Sequence, residues 1–118
     1  MCERFTIDIP AELLVELFGL AEPLAIPPRY NVAPAQQVPV VRQYADGPNH
    51  IDSLQWGLIP SWAKDRLIGS DVTSARSETV SEKPAFRQST RYRRCVIPSS
   101  GFYEWKQEKE KLPCYIRL

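Results

Sequence analysis

Met1-Cys2-Glu3-Arg4-Phe5-Thr6-Ile7 begins the chain, and the pattern from Arg4 to Ile7 predicts a short β-strand leading away from the terminus. Removal of Met1 would make Cys2 the N-terminal residue, with a thiol and a free α-amine on adjacent carbons. Their ordinary pKa values of about 8.5 and about 7.7–8.0 leave both partly deprotonated near neutral pH. Such an amine condenses with an aldehyde to an imine, and the thiol then closes a five-membered thiazolidine ring. A simpler interpretation, that Cys2 merely follows the start residue, remains open on this stretch alone.

Composition indicates one modest globular domain. The chain has 118 residues, of which 43% are hydrophobic and 25% charged, with a formal net charge of +1. No apolar run approaches the ~18 residues of a membrane span, and the start lacks the basic-then-apolar order of a signal peptide. A cytosolic or nuclear location is therefore expected.

The cysteines and the single histidine argue against a metal site. Cys2, Cys95 and Cys114 are widely spaced without a Cys-x-x-Cys pair, and His50 lies in a turn-like stretch over residues 46–50. We therefore expect no metal, no cofactor and no disulfide framework. Cys95 and Cys114 lie in apolar segments, which predicts that both are small buried residues.

The element pattern predicts an α+β fold, mainly antiparallel, with a barrel-like curled sheet and a few short helices. A helix capped by Asp8 should end at Gly19, whereas four prolines in residues 23–34 predict a stiff extended loop. The remaining predicted strands span residues 38–44, 52–59, 94–98, 101–106 and 112–118, and a second helix runs from residue 81 to about residue 88. The last strand has no terminating polar cluster. This suggests a single domain over residues 1–118 that lacks its C-terminal part.

Three features outside the terminus are candidates for chemistry or binding. In strand 101–106, alternation places Glu104 and Phe102 on one face, with Tyr103 and Trp105 on the other. A carboxylate among aromatic side chains suits proton transfer, although an edge-strand charge that prevents aggregation is a serious alternative. Six basic residues lie between positions 76 and 94 against two acids, which favours either phosphate binding or a solvated face. Trp62 follows a strand-breaking proline and is either a core anchor or a stacking surface.

Five ordered motifs resemble the SRAP family, the SOS-response-associated peptidase-like proteins. They are Met1-Cys2-Glu3-Arg4-Phe5, Arg29-Tyr30-Asn31-Val32-Ala33-Pro34, Trp56-Gly57-Leu58-Ile59-Pro60-Ser61-Trp62-Ala63, Ala75-Arg76-Ser77-Glu78-Thr79 and Gly101-Phe102-Tyr103-Glu104-Trp105-Lys106. The resemblance covers nearly the whole chain. It implies a sensor of abasic sites in single-stranded DNA that is a monomer and lies at the nucleoid, or in the nucleus of a eukaryote.

The resemblance also implies roles for individual residues. The processed terminal cysteine would capture the aldehyde of the ring-opened abasic sugar as a thiazolidine, which forms a DNA–protein crosslink. Catalytic roles would fall to Cys2 as nucleophile, Glu104 as acid–base group and Ser74 as the group that positions the sugar. Arg4, Asn31, Pro34, Trp62 and Arg76 would bind DNA through phosphates and bases.

Two alternatives remain open from the sequence. One is a non-catalytic remnant that binds single-stranded DNA, because Glu3 stands where the family has Gly and Ser74 where it has Asn. The other is a cysteine peptidase, which requires a base beside Cys2. His50 lies in the wrong motif to be that base, and the family's own histidine falls beyond residue 118.

Overall fold

The computed structural model describes residues 3–106 and 111–117. Its elements in chain order are β1 (Arg4–Ile7), α1 (Ala11–Phe18), β2 (Arg29–Val32), β3 (Gln37–Gln43), β4 (Asn49–Gln55), a 3₁₀ helix (Arg66–Ser70), α2 (Pro84–Tyr92), β5 (Gly101–Lys106) and β6 (Leu112–Ile116). The predicted α+β class with mainly antiparallel strands is confirmed. The described strands form two open sheets, so the predicted barrel-like curl is not a closed barrel.

The N-terminal strand lies at the centre of the larger sheet. The strand order is β2-β1-β5-β6 and every pairing is antiparallel. Arg4 pairs with Tyr103 and Phe5 with Phe102 on one side of β1, while Phe5 pairs with Val32 on the other. The first described strand is therefore held by elements about 25 and about 95 residues further along the chain, and it is fixed by tertiary pairing as well as by local propensity.

One apolar cluster joins the two sheets. Phe5, Ile7 and Val32 of the larger sheet pack with Val38 and Val40 of the β3–β4 pair, and all five are buried. Alternation accounts for the pairing, since Val38 and Val40 point to the same side of β3. Trp56, which follows β4, packs against this cluster, so the cluster positions the chain after β4 beside β1.

The predictions for three extended segments were wrong in their type or bounds. Arg29–Val32, predicted as loop, is a strand, because it contains no proline itself and lies at a sheet edge, where flanking prolines are tolerated. The strand predicted over residues 52–59 ends at Gln55, because Gly57 takes a φ of +131°. Residues 94–98 contribute only an isolated bridge, Val96 to Val41.

Helix boundaries also differ in part from the predictions. Pro10, not Asp8, is the N-cap of α1, and Asp8 instead accepts a hydrogen bond from the Tyr30 hydroxyl at 3.3 Å. Gly19 ends the helix in the left-handed conformation, as predicted. Helix α2 begins with Pro84 in its first turn and runs to Tyr92, four residues beyond the predicted end.

Both cysteines predicted to be buried are exposed. Cys95 follows the end of α2 and Cys114 lies on β6 at the edge of the larger sheet, and neither lies inside the apolar clusters. No helix within residues 3–106 and 111–117 has both the length and the apolar character of a membrane span.

Candidate functional site

Arg4 and Asn31 are in contact at the end of the central strand. The Arg4 Nη1 donates to Asn31 Oδ1 at 3.0 Å, across neighbouring strands β1 and β2. Asn31 is exposed and Arg4 is half-buried, and the amide oxygen of Asn31 orients the guanidinium of Arg4. A guanidinium offers several N–H donors in a planar fork whose geometry matches a phosphate or a carboxylate.

Glu104 lies one residue from the pairing partner of Arg4. Its neighbour Tyr103 pairs with Arg4, and the two strands are antiparallel. Continuing this register by one residue would place Glu104 beside the residue that precedes Arg4. Phe102 packs on the core cluster, and Tyr103 lies against Tyr115 with ring centroids 5.0 Å apart. Glu104 is half-buried, and alternation along β5 places it on the same side as Phe102, which is the side that faces the core.

Trp56 connects the flanking loops to the central strand, a role that sequence reasoning missed. Its ring meets Phe5 edge-to-face, with centroids 5.1 Å apart, and its Nε1 donates to the Thr73 carbonyl at 3.2 Å. Its backbone carbonyl accepts from Ala35 N at 2.8 Å. Pro34 and Ser74 are sequence neighbours of these two partners, so one tryptophan holds both of their loops beside β1. The Trp56-Gly57 pair was the signal in the sequence that could have indicated this role, because a large aromatic residue before a glycine is typical of a strand end that packs on the core.

Trp62 and Arg76 are presented on exposed loops. Trp62 has 63% of its surface exposed, at a turn in which Ala63 N donates to the Pro60 carbonyl at 3.0 Å. This exposure favours the stacking-surface interpretation over the core anchor. Arg76 and Ser74 are exposed as well, and within the described part of the chain Arg76 forms no ion pair.

A mostly apolar cavity opens beside the central strand. Its volume is about 320 Å³, and its lining consists of Phe5, Trp56, Ile97, Ser99 and Phe102. The cavity shares Phe5 and Phe102 with the paired strands β1 and β5, so it lies on the same side of the sheet as Glu104. Ser99 is the polar member of its lining. The sequence did not indicate this cavity, because Ile97 was predicted to lie in a strand and Ser99 carried no signal of its own.

Cys2 lies outside the described residues, and its role stays a prediction. Among the other candidates, the structure brings Arg4 into contact with Asn31 and sets Glu104 next in register, while Trp56 tethers the loops of Pro34 and Ser74. Trp62 and Arg76 contribute exposed groups from further loops.

His50 belongs to a separate cluster on the β3–β4 pair. Its Nε2 lies 3.3 Å from Asp52 Oδ2, its ring stacks on Tyr44 at 4.1 Å, and Arg42 Nε lies 2.8 Å from the same carboxylate oxygen. The histidine lies within strand β4, not in the predicted turn, and all these partners belong to β3, β4 or their connection. Among the described residues there is no group of three or more His, Cys, Asp or Glu side chains arranged to hold a metal ion.

Fold and site together define an α+β protein whose N-terminal strand is the centre of its main sheet and carries the candidate polar groups. The family model described as SOS response associated peptidase (SRAP) matches residues 1–118, and the chain belongs to this family.

Relatives and a solved structure agree with this family. The chain is 44% identical over 124 residues to the abasic site processing protein YoqW of Bacillus subtilis, covering 100% of this chain and 54% of that protein. It is 29% identical over 130 residues to the abasic site processing protein HMCES of Mus musculus, covering 91% and 37%. A solved Bacteroides thetaiotaomicron protein superposes with a TM-score of 0.78 at 26% identity, covering 98% of this chain and 54% of that one. The chain thus spans about half the length of the curated bacterial relatives it matches.

Proposed function

We propose that this chain processes abasic sites in single-stranded DNA by forming a covalent thiazolidine crosslink through Cys2 after removal of Met1. The observation that carries the proposal is the central position of β1. A strand that begins two residues after Cys2 is paired on both sides, and its Arg4 is in register with the residue next to Glu104. Membership of the SRAP family and the names of the relatives support the same substrate.

The proposed chemistry needs no external reagent. The ring-opened abasic deoxyribose presents an aldehyde, the α-amine of Cys2 adds to its carbon, and loss of one water gives an imine. The thiol then adds across the C=N bond, its proton passes to the nitrogen, and the thiazolidine ring closes. Glu104 transfers protons during sugar ring opening and imine formation, a role that contributes about 100-fold or more in comparable reactions.

Binding groups surround this step in the proposal. Arg4, oriented by Asn31, and the exposed Arg76 hold phosphates on either side of the lesion, while Ser74 positions the sugar with its hydroxyl. Trp62 stacks on an unpaired base and Pro34 lies against a neighbouring one. Glu3 is exposed, which allows its carboxylate to face solvent and avoid the phosphates. Because the proposed substrate is DNA, the protein would be located at the nucleoid, or in the nucleus of a eukaryote.

Intact-mass measurement tests the reaction directly. The protein is incubated with a single-stranded oligonucleotide containing one abasic site, and a heat-stable adduct is expected. Its mass should equal the Met1-processed protein plus the oligonucleotide minus one water. Cys2→Ala should abolish this adduct, because the remaining amine forms only a hydrolysable imine, which borohydride would trap. Cys114→Ala serves as the matched control, because its thiol is exposed on the edge strand β6.

Two results would overturn the proposal. A heat-stable adduct formed by Cys2→Ala without borohydride would show that another group makes the bond. Binding without any mass change would support the remnant that only binds single-stranded DNA. His50 does not supply the base that a peptidase requires beside Cys2, because it pairs with Asp52 and stacks on Tyr44 on the β3–β4 pair. Glu104→Gln should slow crosslinking about 100-fold while leaving affinity for the DNA nearly unchanged.

A further inference from the structure

Helix α2 carries an uncompensated positive face. Its sequence, Pro84 to Tyr92, contains no acidic residue, and Arg87 and Arg91 are spaced one helical turn apart. Both are exposed, whereas Ala85, Phe86, Ser89 and Thr90 are half-buried and form the inward side. Like charges at this spacing repel each other and weaken a helix. The arrangement therefore favours an anionic partner on the outward face.

The positive face continues past the helix end with an exposed aromatic ring. Tyr92 has 68% of its surface exposed, and the Arg91 guanidinium carbon lies 5.1 Å from its ring centroid. Arg93 is exposed as well, but its Nη2 donates to Ser89 Oγ at 3.2 Å, which directs its guanidinium back along the helix. Arg94, the next residue, is exposed. We call the set formed by Arg87, Arg91, Tyr92 and Arg94 the α2 arginine surface.

Carboxylates within residues 3–106 and 111–117 do not neutralise this surface. Arg42 and His50 pair with Asp52 elsewhere in the fold, and Arg87, Arg91 and Arg94 form no ion pair with a described residue. The helix C-terminal dipole accounts for a cation at Arg91 but not for those at Arg87 and Arg94. Arg94 also lines a cavity of about 410 Å³ together with Arg42 and Asn49, so a second arginine lies near it at the end of the surface.

We propose that the α2 arginine surface binds an undamaged segment of single-stranded DNA flanking the lesion, with phosphates on the arginines and a base stacked on Tyr92. The identity of the partner rests on the proposed function. Arginines interleaved with an exposed aromatic ring match the backbone charge and the unpaired bases of a single strand. A membrane surface would require a broad apolar face, which the outward side of α2 lacks.

The chain path supports continuity with the lesion site. Thr79 N donates to the Arg76 carbonyl at 3.2 Å and Lys83 N to the Thr79 carbonyl at 3.0 Å, so two successive turns lead from Arg76 to the start of α2. The helix itself extends about 13 Å. DNA held by a phosphate at Arg76 thus has a second set of cations along the next element of the chain.

Anisotropy titrations with an undamaged oligothymidine test the proposal across a range of salt concentrations. The double variant Arg87→Gln/Arg91→Gln should lower the magnitude of the slope of log affinity against log salt by about 1.4, because each single-strand phosphate contact contributes about 0.7. Tyr92→Ala should weaken binding about fivefold or more, and Tyr92→Phe should restore it, because stacking needs the ring and not the hydroxyl. Arg117→Gln removes an exposed arginine next to β6 and should leave both quantities unchanged.

Crosslinking separates this inference from the proposed function. The α2 variants should still crosslink a very short abasic oligonucleotide at the wild-type rate, because that substrate does not reach the helix. Wild-type salt slope and affinity in the double variant would overturn the inference, provided circular dichroism shows an intact fold. The inference would also be overturned if the arginine variants weakened binding to oligothymidine but Tyr92→Ala did not. Binding to phosphatidylserine vesicles as tight as binding to oligothymidine would overturn it as well. Salt-dependent binding through α2 with no abasic adduct would leave the inference standing and refute the crosslinking proposal.

Discussion

At the scale of single residues, Trp56 and Trp62 show that one residue type serves two purposes within seven positions. Trp56 packs edge-to-face on Phe5 and donates its Nε1 proton to a backbone carbonyl, whereas Trp62 has 63% of its surface in solvent. Trp62→Ala should therefore weaken binding to single-stranded DNA by about 1–3 kcal/mol and change the free energy of unfolding by less than about 0.5 kcal/mol. Titration with DNA and urea denaturation measure the two quantities.

Trp56→Ala is the control, with the opposite pattern. Loss of the packed ring should lower the free energy of unfolding by about 3 kcal/mol, because Phe5 loses its ring contact and the Thr73 carbonyl loses its Nε1 donor, while the backbone bond from Ala35 remains. If Trp62→Ala destabilised the fold as much as Trp56→Ala, Trp62 would be a core anchor and its assignment to DNA binding would be wrong.

Tyr30 and Asp8 form a pair with a defined pH response. The negative charge of Asp8 raises the pKa of Tyr30 above its ordinary value of 10.0, with smaller contributions from desolvation and from the hydrogen bond between the two side chains. Because the pKa is raised in the folded state, the stabilisation is complete below about pH 10 and is lost as pH rises through the folded-state pKa. Asp8→Asn should lower the pKa of Tyr30 in a carbon-13 NMR titration of its ring. Asp71→Asn, which removes an exposed carboxylate elsewhere, should leave it unchanged.

At the scale of elements, the segment that carries Trp62 depends on the approach of two glycines. Gly57 has a φ of +131°, and a Cβ there would lie 1.9 Å from the Gly69 carbonyl oxygen. Gly57→Ala should therefore lower the free energy of unfolding by about 3 kcal/mol or more through combined backbone strain and overlap. Gly19→Ala is the matched control, because Gly19 has a φ of +59° but a Cβ there would meet no atom within 4 Å, and it should cost only about 1 kcal/mol. Equal losses in thermal or urea denaturation would contradict the role of the close approach.

Local patterns predicted those elements whose signals lie within a few residues. The strand from Arg4 to Ile7, the Gly19 helix end and the β5–β6 hairpin follow from alternation and turn chemistry. The early end of β4 was not predictable, because it depends on Gly69 meeting Gly57 from a distant segment. The exposure of Cys95 and Cys114 was missed because an apolar neighbourhood in sequence does not specify which side of a strand or bridge is covered.

The candidate site was predictable only as a set of residue types. Motif order indicated Arg4, Asn31 and Glu104, and the structure brings their strands side by side. The tether through Trp56 and the cavity lined by Ile97 and Ser99 were not predictable, because both arise where the two sheets meet. Roles for Cys2 and for the DNA-binding residues remain predictions that the crosslinking experiments test.

At the scale of the whole molecule, one core couples the two sheets, and the site takes groups from both sides of it. Arg4 and Glu104 belong to the larger sheet, while the Trp56 tether follows β4 of the smaller one. Val40→Ala should lower the free energy of unfolding by about 2 kcal/mol, because Val40 is 2% exposed and packs in the cluster that joins the sheets. Val96→Ala, at a side chain 52% exposed, should change the free energy of unfolding by less than about 0.5 kcal/mol.

Urea transitions followed by tryptophan fluorescence and by far-ultraviolet circular dichroism should coincide in both variants, because a shared core unfolds as one unit. Separate midpoints for the two probes would mean that the sheets unfold independently. The core around Val40 would then not hold the two sheets together at β1.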